Sequence, residues 1–233
     1  MNWQILAGYV TTWQIAFYPP VAPGDFFAVK KLMQFQCAYA ILNEKEREGN
    51  TMSAWKHFKT ITKHKFLVMQ GCFQVGLIWQ GITHDLSKYT PTEFLTGAKY
   101  FQGNRSPNAA EREEKGYSEA WMHHKGRNRH HYEYWQDVNL KSGVYEPVPM
   151  PRKYLVEMVM DRRAASMIYK GKNYTPDAPY QYFIRSQERE WMHPQTRQEL
   201  DFLLTMLRDD GEQKTFRYLK DHVLAGKPFP WEE

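Results

Sequence analysis

Between residues 55 and 76, the positions Ile61, His64, Val68, Cys72 and Val75 recur at spacings of three and four, which places them on one face of an α-helix. Glycines at 71, 76 and 81 then allow the chain to turn, and a short second helix from about Leu77 delivers the adjacent pair His84-Asp85. This stretch constrains everything after it. On one straight helix His64 and His84 would lie about 30 Å apart, from a rise of ~1.5 Å per residue. If the chain reverses within 71–77, two antiparallel helices packed ~8–10 Å apart bring the two backbones within roughly 10 Å, a gap that imidazole side chains close. A helical hairpin is therefore expected there. A single unbroken helix over 60–85 would keep the two histidines from ever sharing a site.

The rest of the chain also reads as helical. Thr90 is a good N-cap, Pro91 suits the first helical position and Glu93 stands where a capping box places its acid, so the next helix is expected from Thr92 to about Phe101. Residues 102–108 read as a loop, and Glu111 to Lys115 as a solvated charged face. A loop rich in proline is expected over 139–151, followed by a helix from Arg152 to Tyr169 and another from Pro194 to about Asp209 with Leu200, Leu203, Leu204 and Leu207 on its apolar side. Period-2 alternation is almost absent and no repeat is visible. The expected fold is all-α, a compact multi-helix domain. Residues 1–51 are expected to be an accessory segment or an over-extended start, because Met52 opens a natural beginning. Residues 52–172 should form the helical core that carries the site, and 173–233 should add helices packed on it.

Composition narrows the function classes. The 233 residues carry a formal charge of +5, a mild excess that favours small anionic substrates. The two cysteines, Cys37 and Cys72, lack paired spacing, which argues against a disulfide framework or a cysteine zinc site and fits a reducing, cytoplasmic compartment. No apolar run reaches the length of a membrane span, and the N-terminus lacks a secretory pattern. No basic stripe interleaved with aromatics is long enough to track nucleic acid. Ser118, Ser166 and Cys72 stand without an adjacent base, which disfavours nucleophilic catalysis.

Nine histidines are present, and seven of them fall between residues 57 and 131. His123-His124 and His130-His131 form two pairs. Positions 124, 128 and 131 share one stripe if the segment is helical, which would set two imidazoles and the Asn128 amide side by side. Asp161 lies inside an apolar helix one turn after Glu157; a carboxylate facing a core needs a partner, which a metal would supply and a surface pair with Arg162 or Arg163 would equally provide. A His-Asp pair offers a nitrogen and an oxygen to one point, and Lys88 three residues on brings positive charge to a nearby phosphate. Arg127 and Arg129 are further candidates for that charge. The aromatics Trp121, Tyr132, Tyr134 and Trp135 read as core residues before they read as a base-stacking platform.

In order, His64, His84-Asp85, His124, His130-His131 and Asp161 resemble the HD superfamily of metal-dependent phosphohydrolases, whose signature is a histidine, an adjacent His-Asp and a later aspartate around one metal. The run His84-Asp85-Leu86-Ser87-Lys88 is similar to the His-Asp-x-x-Lys version of the HD-GYP branch, which adds histidines for a second ion. Here the gaps from His64 to His84 and from His124 to His130 are shorter, and the Gly-Tyr-Pro element is lacking. Through Lys63-His64-Lys65, His84-Asp85-Leu86-Ser87-Lys88, Asn128-Arg129-His130-His131-Tyr132-Glu133-Tyr134-Trp135 and Glu157-Met158, residues 52–210 more closely resemble an uncharacterised bacterial and phage family known only as a domain of unknown function.

The HD resemblance implies that His64, His84, Asp85 and Asp161 hold a divalent metal such as manganese, iron or zinc. It also implies that His124, His130 and His131 hold a second ion. The implied activity is hydrolysis of a phosphate ester, with nucleotides among the candidates. Asp85 would orient water, Lys88, Arg127, Asn128 and Arg129 would contact substrate, and His124 or His131 would supply a proton. Two rivals stand beside it: an HD-type di-iron oxygenase, and a non-catalytic helical protein that uses the same residues as a buried polar network.

Overall fold

The computed structural model describes residues 49–232. The accessory segment expected over 1–51 lies almost wholly outside the described residues. Helix α1 spans Gly49–Gln74. Its buried face carries Ile61, His64, Val68 and Cys72, and Val75 is buried just past its end, so the stripe expected from their spacing is present. Gly76 (φ +88°) turns the chain back through a left-handed conformation that other residues adopt only at a cost, and the Leu77 N–H closes the turn on the Cys72 carbonyl at 2.8 Å. Helix α2, Ile78–Thr83, then returns along α1, so the expected hairpin is present.

The His84-Asp85 corner follows directly. His84 is extended (φ −50°, ψ 127°), and Asp85 is left-handed (φ 54°, ψ 24°), the one non-glycine residue with positive φ among the described residues. A short polar side chain tolerates that region better than most, at a cost of ~1–2 kcal/mol. The corner is pinned from α1, because the Lys65 ammonium donates to the carbonyls of Ile82 at 2.7 Å and His84 at 2.9 Å. A 3-10 turn over Leu86–Tyr89 leads into α3, Pro91–Lys99.

Helix α3 packs on α1 at Gly97. A Cβ there would overlap the His57 ring, 2.7 Å from its Cε1. The ring is held between Phe94 and Phe101, at centroid distances of 5.5 and 5.6 Å. Gly97→Ala is accordingly expected to cost ~1–3 kcal/mol, the usual range for overpacking. Urea denaturation reads this directly, and an unchanged midpoint would mean that the ring moves aside freely.

Helices α4 (Pro107–Lys115) and α5 (Glu119–Lys125) come next. The expected solvated face over 111–115 holds for Arg112 to Lys115 but not for Glu111. Glu111 is fully buried and accepts hydrogen bonds from Ser118 Oγ at 2.5 Å and Glu119 N at 3.2 Å. The proline-rich segment expected as a loop carries part of a small antiparallel hairpin, β1 (Gln136–Val138) with β2 (Tyr145–Pro147), in the register Asp137 to Glu146. Three-residue strands are too short to leave a period-2 signal.

Helix α6, Arg152–Lys170, is the central element, with Leu155, Val156, Met158, Val159 and Met160 buried against α1, α7 (Ala178–Arg185) and α8 (Pro194–Tyr218). Helix α8 buries Leu200, Leu203, Leu204 and Leu207 as expected. It runs Pro194–Tyr218, past the expected end at Asp209, because the chain kinks at Gly211 (φ 78°, ψ 176°) and resumes. The described chain is thus mostly helical. No helix among the described residues is long and apolar enough to cross a membrane.

Candidate metal centre

The α1–α2 hairpin sets His64 beside His84, with 3.4 Å between their Nε2 atoms. Close packing of α6 on α1 brings in Asp161, whose Oδ1 is 2.9 Å from His64 Nε2 and 3.7 Å from His84 Nε2. Asp85 completes this set through Oδ2, 3.6 Å from His64 and 3.3 Å from His84. Asp161 therefore faces the histidines; the surface pairing with Arg162 or Arg163 is not formed, since those cations go to Glu188 and Glu212.

A second set lies on the other side of Asp85. Its Oδ1 is 3.3 Å from His124 Nε2 and 3.4 Å from His130 Nε2, and His131 Nε2 is 2.9 Å from His124 Nε2. Within each set of four, His64/His84/Asp85/Asp161 and Asp85/His124/His130/His131, the candidate ligand atoms lie within 4.8 Å of one another. The helical stripe expected to align His124, Asn128 and His131 is not what does this. Helix α5 stops at Lys125, and the turn after it folds His130 and His131 back over His124. Gly126 and the turn that follows override the heptad spacing.

Two glutamates fix the rings. Glu157 Oε1 is 2.9 Å from His84 Nδ1 and 3.1 Å from His130 Nδ1, and Glu93 Oε2 is 2.8 Å from His124 Nδ1. An ionised carboxylate accepts only, so each of these Nδ1 atoms carries a proton and each Nε2 is the nitrogen turned to the centre. His84 Nε2 lies 3.4 Å from His64 Nε2 and His124 Nε2 lies 2.9 Å from His131 Nε2, contacts that are favourable only with a proton or a metal cation between the two nitrogens. Asp85 Oδ1 and His130 Nε2 are buried and make no hydrogen bond. Orphaned acceptors of this kind cost free energy in a protein interior, and the two sets fit divalent ions on both counts.

Electrostatics agree. Burial alone would lower the His84 imidazole, but the Asp85 charge and the Asp161, Asp85 and Glu157 carboxylates outweigh it and hold His84 well above the usual range. His124 is raised in the same way, against burial, by Asp85 and Glu93. Burial lowers His131 too, and there it is not outweighed: with His130 and His124 beside it the ring stays well below its ordinary value. A neutral ring suits the ligand role that was one of the two expected of His131. The sign for metal uptake follows. His84 and His124 carry protons that a cation must displace, so affinity should rise as pH rises through their elevated values. Calorimetry in buffers of different ionisation enthalpy should read the release of about one or more protons per chain; an enthalpy independent of buffer would contradict the protonated state.

Lys88 Nζ lies 2.5 Å from Asp85 Oδ2 at the mouth of the cluster. Lys88, His64, His124, His131 and Asp161 line a cavity of about 1380 Å³, whereas His84 and His130 are sealed behind them. The other residues expected to contact substrate lie elsewhere. Arg127 is exposed and donates to the His123 carbonyl at 3.1 Å, and Arg129 lies over the rings of Tyr134 and Tyr154. Asn128 is buried and clamps the His-Asp corner to α5, donating to Ser87 Oγ and the His124 carbonyl, both at 2.8 Å. Trp121 lines the cavity 4.7 Å from the His131 ring, and Tyr132 is a core residue.

Two residues of the centre carry roles that sequence reasoning did not assign. Glu93 is no capping-box acid: Thr90 makes no side-chain cap and turns its hydroxyl to the Ser87 carbonyl at 2.6 Å. Glu93 instead is buried against His123 and His124. Glu157 shares a face with Asp161 one turn away, and that pairing of two acids inside an apolar helix was the available signal.

Comparison with known proteins adds one finding. Residues 53–206, from early α1 into α8, match the profile of a family described as of unknown function. No curated protein and no solved structure matches the chain.

Proposed function

The chain belongs to DUF5662, a family of unknown function, and we propose that it is a metal-dependent phosphohydrolase that holds its ions on the two sides of Asp85. The observation that carries the reading is the division of that carboxylate, one oxygen toward His64 and His84 and the other toward His124 and His130. The resemblance of His64, His84-Asp85 and Asp161 to the HD quartet points the same way.

His64, His84, Asp85 and Asp161 would hold one ion, and Asp85, His124, His130 and His131 a second. Nitrogen and oxygen ligation of this kind suits manganese, iron or zinc, which supply Lewis acidity toward a phosphoryl oxygen and toward water. The remaining work falls to the chain. Glu157 and Glu93 keep the imidazoles in one tautomer, so no proton is lost to reorientation. Asp161 is 16% exposed while His84 and Asp85 are sealed, so substrate and water approach from the Asp161 side. Lys88, between Asp85 and the cavity, meets an entering phosphate with a charge-assisted hydrogen bond.

Lys88 also opposes cation binding, since its ammonium already occupies Asp85 Oδ2. Lys88→Met should therefore tighten metal binding severalfold yet lower phosphate ester turnover by about tenfold or more, the equivalent of ~1.4 kcal/mol lost from the transition state. Titration calorimetry and steady-state kinetics separate the two effects, and parallel loss of both would remove Lys88 from the substrate side.

The reading is tested on the full chain purified without chelator, by elemental analysis beside p-nitrophenyl phosphate turnover with manganese, iron or zinc. One or two ions per chain and a turnover that chelator abolishes are expected. Bound iron with a visible chromophore and no phosphatase activity would instead favour the di-iron oxygenase. No bound metal, and none taken up, would leave a buried polar network.

A further inference from the structure

Outside the cluster, two residues that line the cavity hold unsatisfied polar atoms of opposite kind. Arg162 follows Asp161 on α6, and its Nη1 donates to Glu188 Oε1 at 2.6 Å while its Nε–H is buried without a partner. Glu133 follows the His130-His131 pair in the chain, and its Oε2 is likewise buried without a partner. Both residues line the cavity that reaches His131 and Asp161. They are close enough to interact, since Glu133 senses both the Arg162 guanidinium and the Glu188 carboxylate. Leaving a buried donor and a buried acceptor unmade is costly, and the cost is removed by a ligand group that both accepts and donates.

The charges say which group. Glu188 already matches the Arg162 charge, and the free Glu133 oxygen repels anions, with Lys125 the cation that answers it. A second phosphate is therefore disfavoured at this end of the cavity. A hydroxyl fits, because one oxygen donates to a carboxylate while it accepts from a guanidinium N–H. Resting on the phosphohydrolase reading, we infer that the alcohol portion of the ester is a sugar, whose hydroxyl groups are read by Glu133 Oε2 and Arg162 Nε. The sugar belongs to a free sugar phosphate or to a nucleotide; the chemistry at this subsite is the same. Both residues are specificity residues, set beside the ligand sets and not within them.

Phosphonate isosteres test this independently of turnover, because their C–P bond is not hydrolysed. The full chain loaded with manganese would be titrated calorimetrically with the isosteres of ethyl phosphate, ribose 5-phosphate and AMP. The ribose isostere should bind about tenfold tighter than the ethyl one or better, from a pair of buried hydrogen bonds. Glu133→Gln and Arg162→Gln should each collapse that ratio. An AMP isostere equal to the ribose one would point to free sugar phosphates, and a tighter one to nucleotides. Equal binding of ribose and ethyl isosteres, or a ratio that survives both substitutions, would overturn the inference. If the isosteres discriminate but p-nitrophenyl phosphate is never hydrolysed with any metal, the subsite stands and the hydrolase reading falls.

Discussion

Asp85→Asn is expected to strip metal from both ligand sets at once. Asparagine keeps the size of the side chain and tolerates the left-handed backbone that this position requires (φ 54°). The fold should therefore persist, as far-ultraviolet circular dichroism would confirm. What is lost is the charge, and each oxygen of that charge faces a different pair of imidazoles. An outer-shell partner typically contributes 10–100-fold to metal affinity. Loss of a ligand shared by two ions should exceed the upper end of that range, more than about 100-fold for each. Elemental analysis of the purified variant should find almost no metal. Retention of full metal content in Asp85→Asn would show that the carboxylate does not stand between two ions.

Glu157→Gln should produce the next largest effect, although Glu157 need touch no ion. One of its oxygens accepts from both His84 Nδ1 and His130 Nδ1, and those two rings belong to different ligand sets. Burial would raise this carboxyl, yet the His130 and His84 hydrogen bonds and charges hold it below the ordinary glutamate range. The neutral amide cannot hold two N–H donors with the same strength, and it can present its own N–H to a ring nitrogen and so favour the wrong tautomer. Both binding steps in a metal titration should weaken by about 10–100-fold. Glu93→Gln supplies the contrast, since the imidazoles that Glu93 holds are those of His123 and His124, and of these His124 belongs to one ligand set: it should weaken one step and spare the other. Equal weakening of both steps by Glu93→Gln would argue against two separate ions.

The fold was legible wherever a single local rule decided the outcome. The α1 stripe, the reversal at Gly76 and the leucine face of α8 follow from spacing and backbone freedom, and each is present. The members of the centre were expected from the HD resemblance more than from any local rule, since Asp161 read equally well as a surface partner of Arg162 or Arg163, and these side chains do cluster. The partners of the ring nitrogens were not. Glu93 sits where local helix rules give it a capping role, and a tertiary contact 31 positions away in sequence overrides that role. Arg127 and Arg129 neighbour the histidines in sequence, but the turn after Lys125 aims them away from the cavity. Proximity along a chain predicts proximity in space only while the local structure is regular, and residues 126–131 are not.

The left-handed backbone of Asp85 has a further consequence. In energy-landscape terms the residue is a point of local frustration: its conformation, its sealed carboxylate and the imidazoles crowded around it all oppose the collapse that buries Val68, Leu155 and Val159 around them. Natural folds keep such positions only where something other than stability retains them, and sequences chosen for stability alone would discard this corner first.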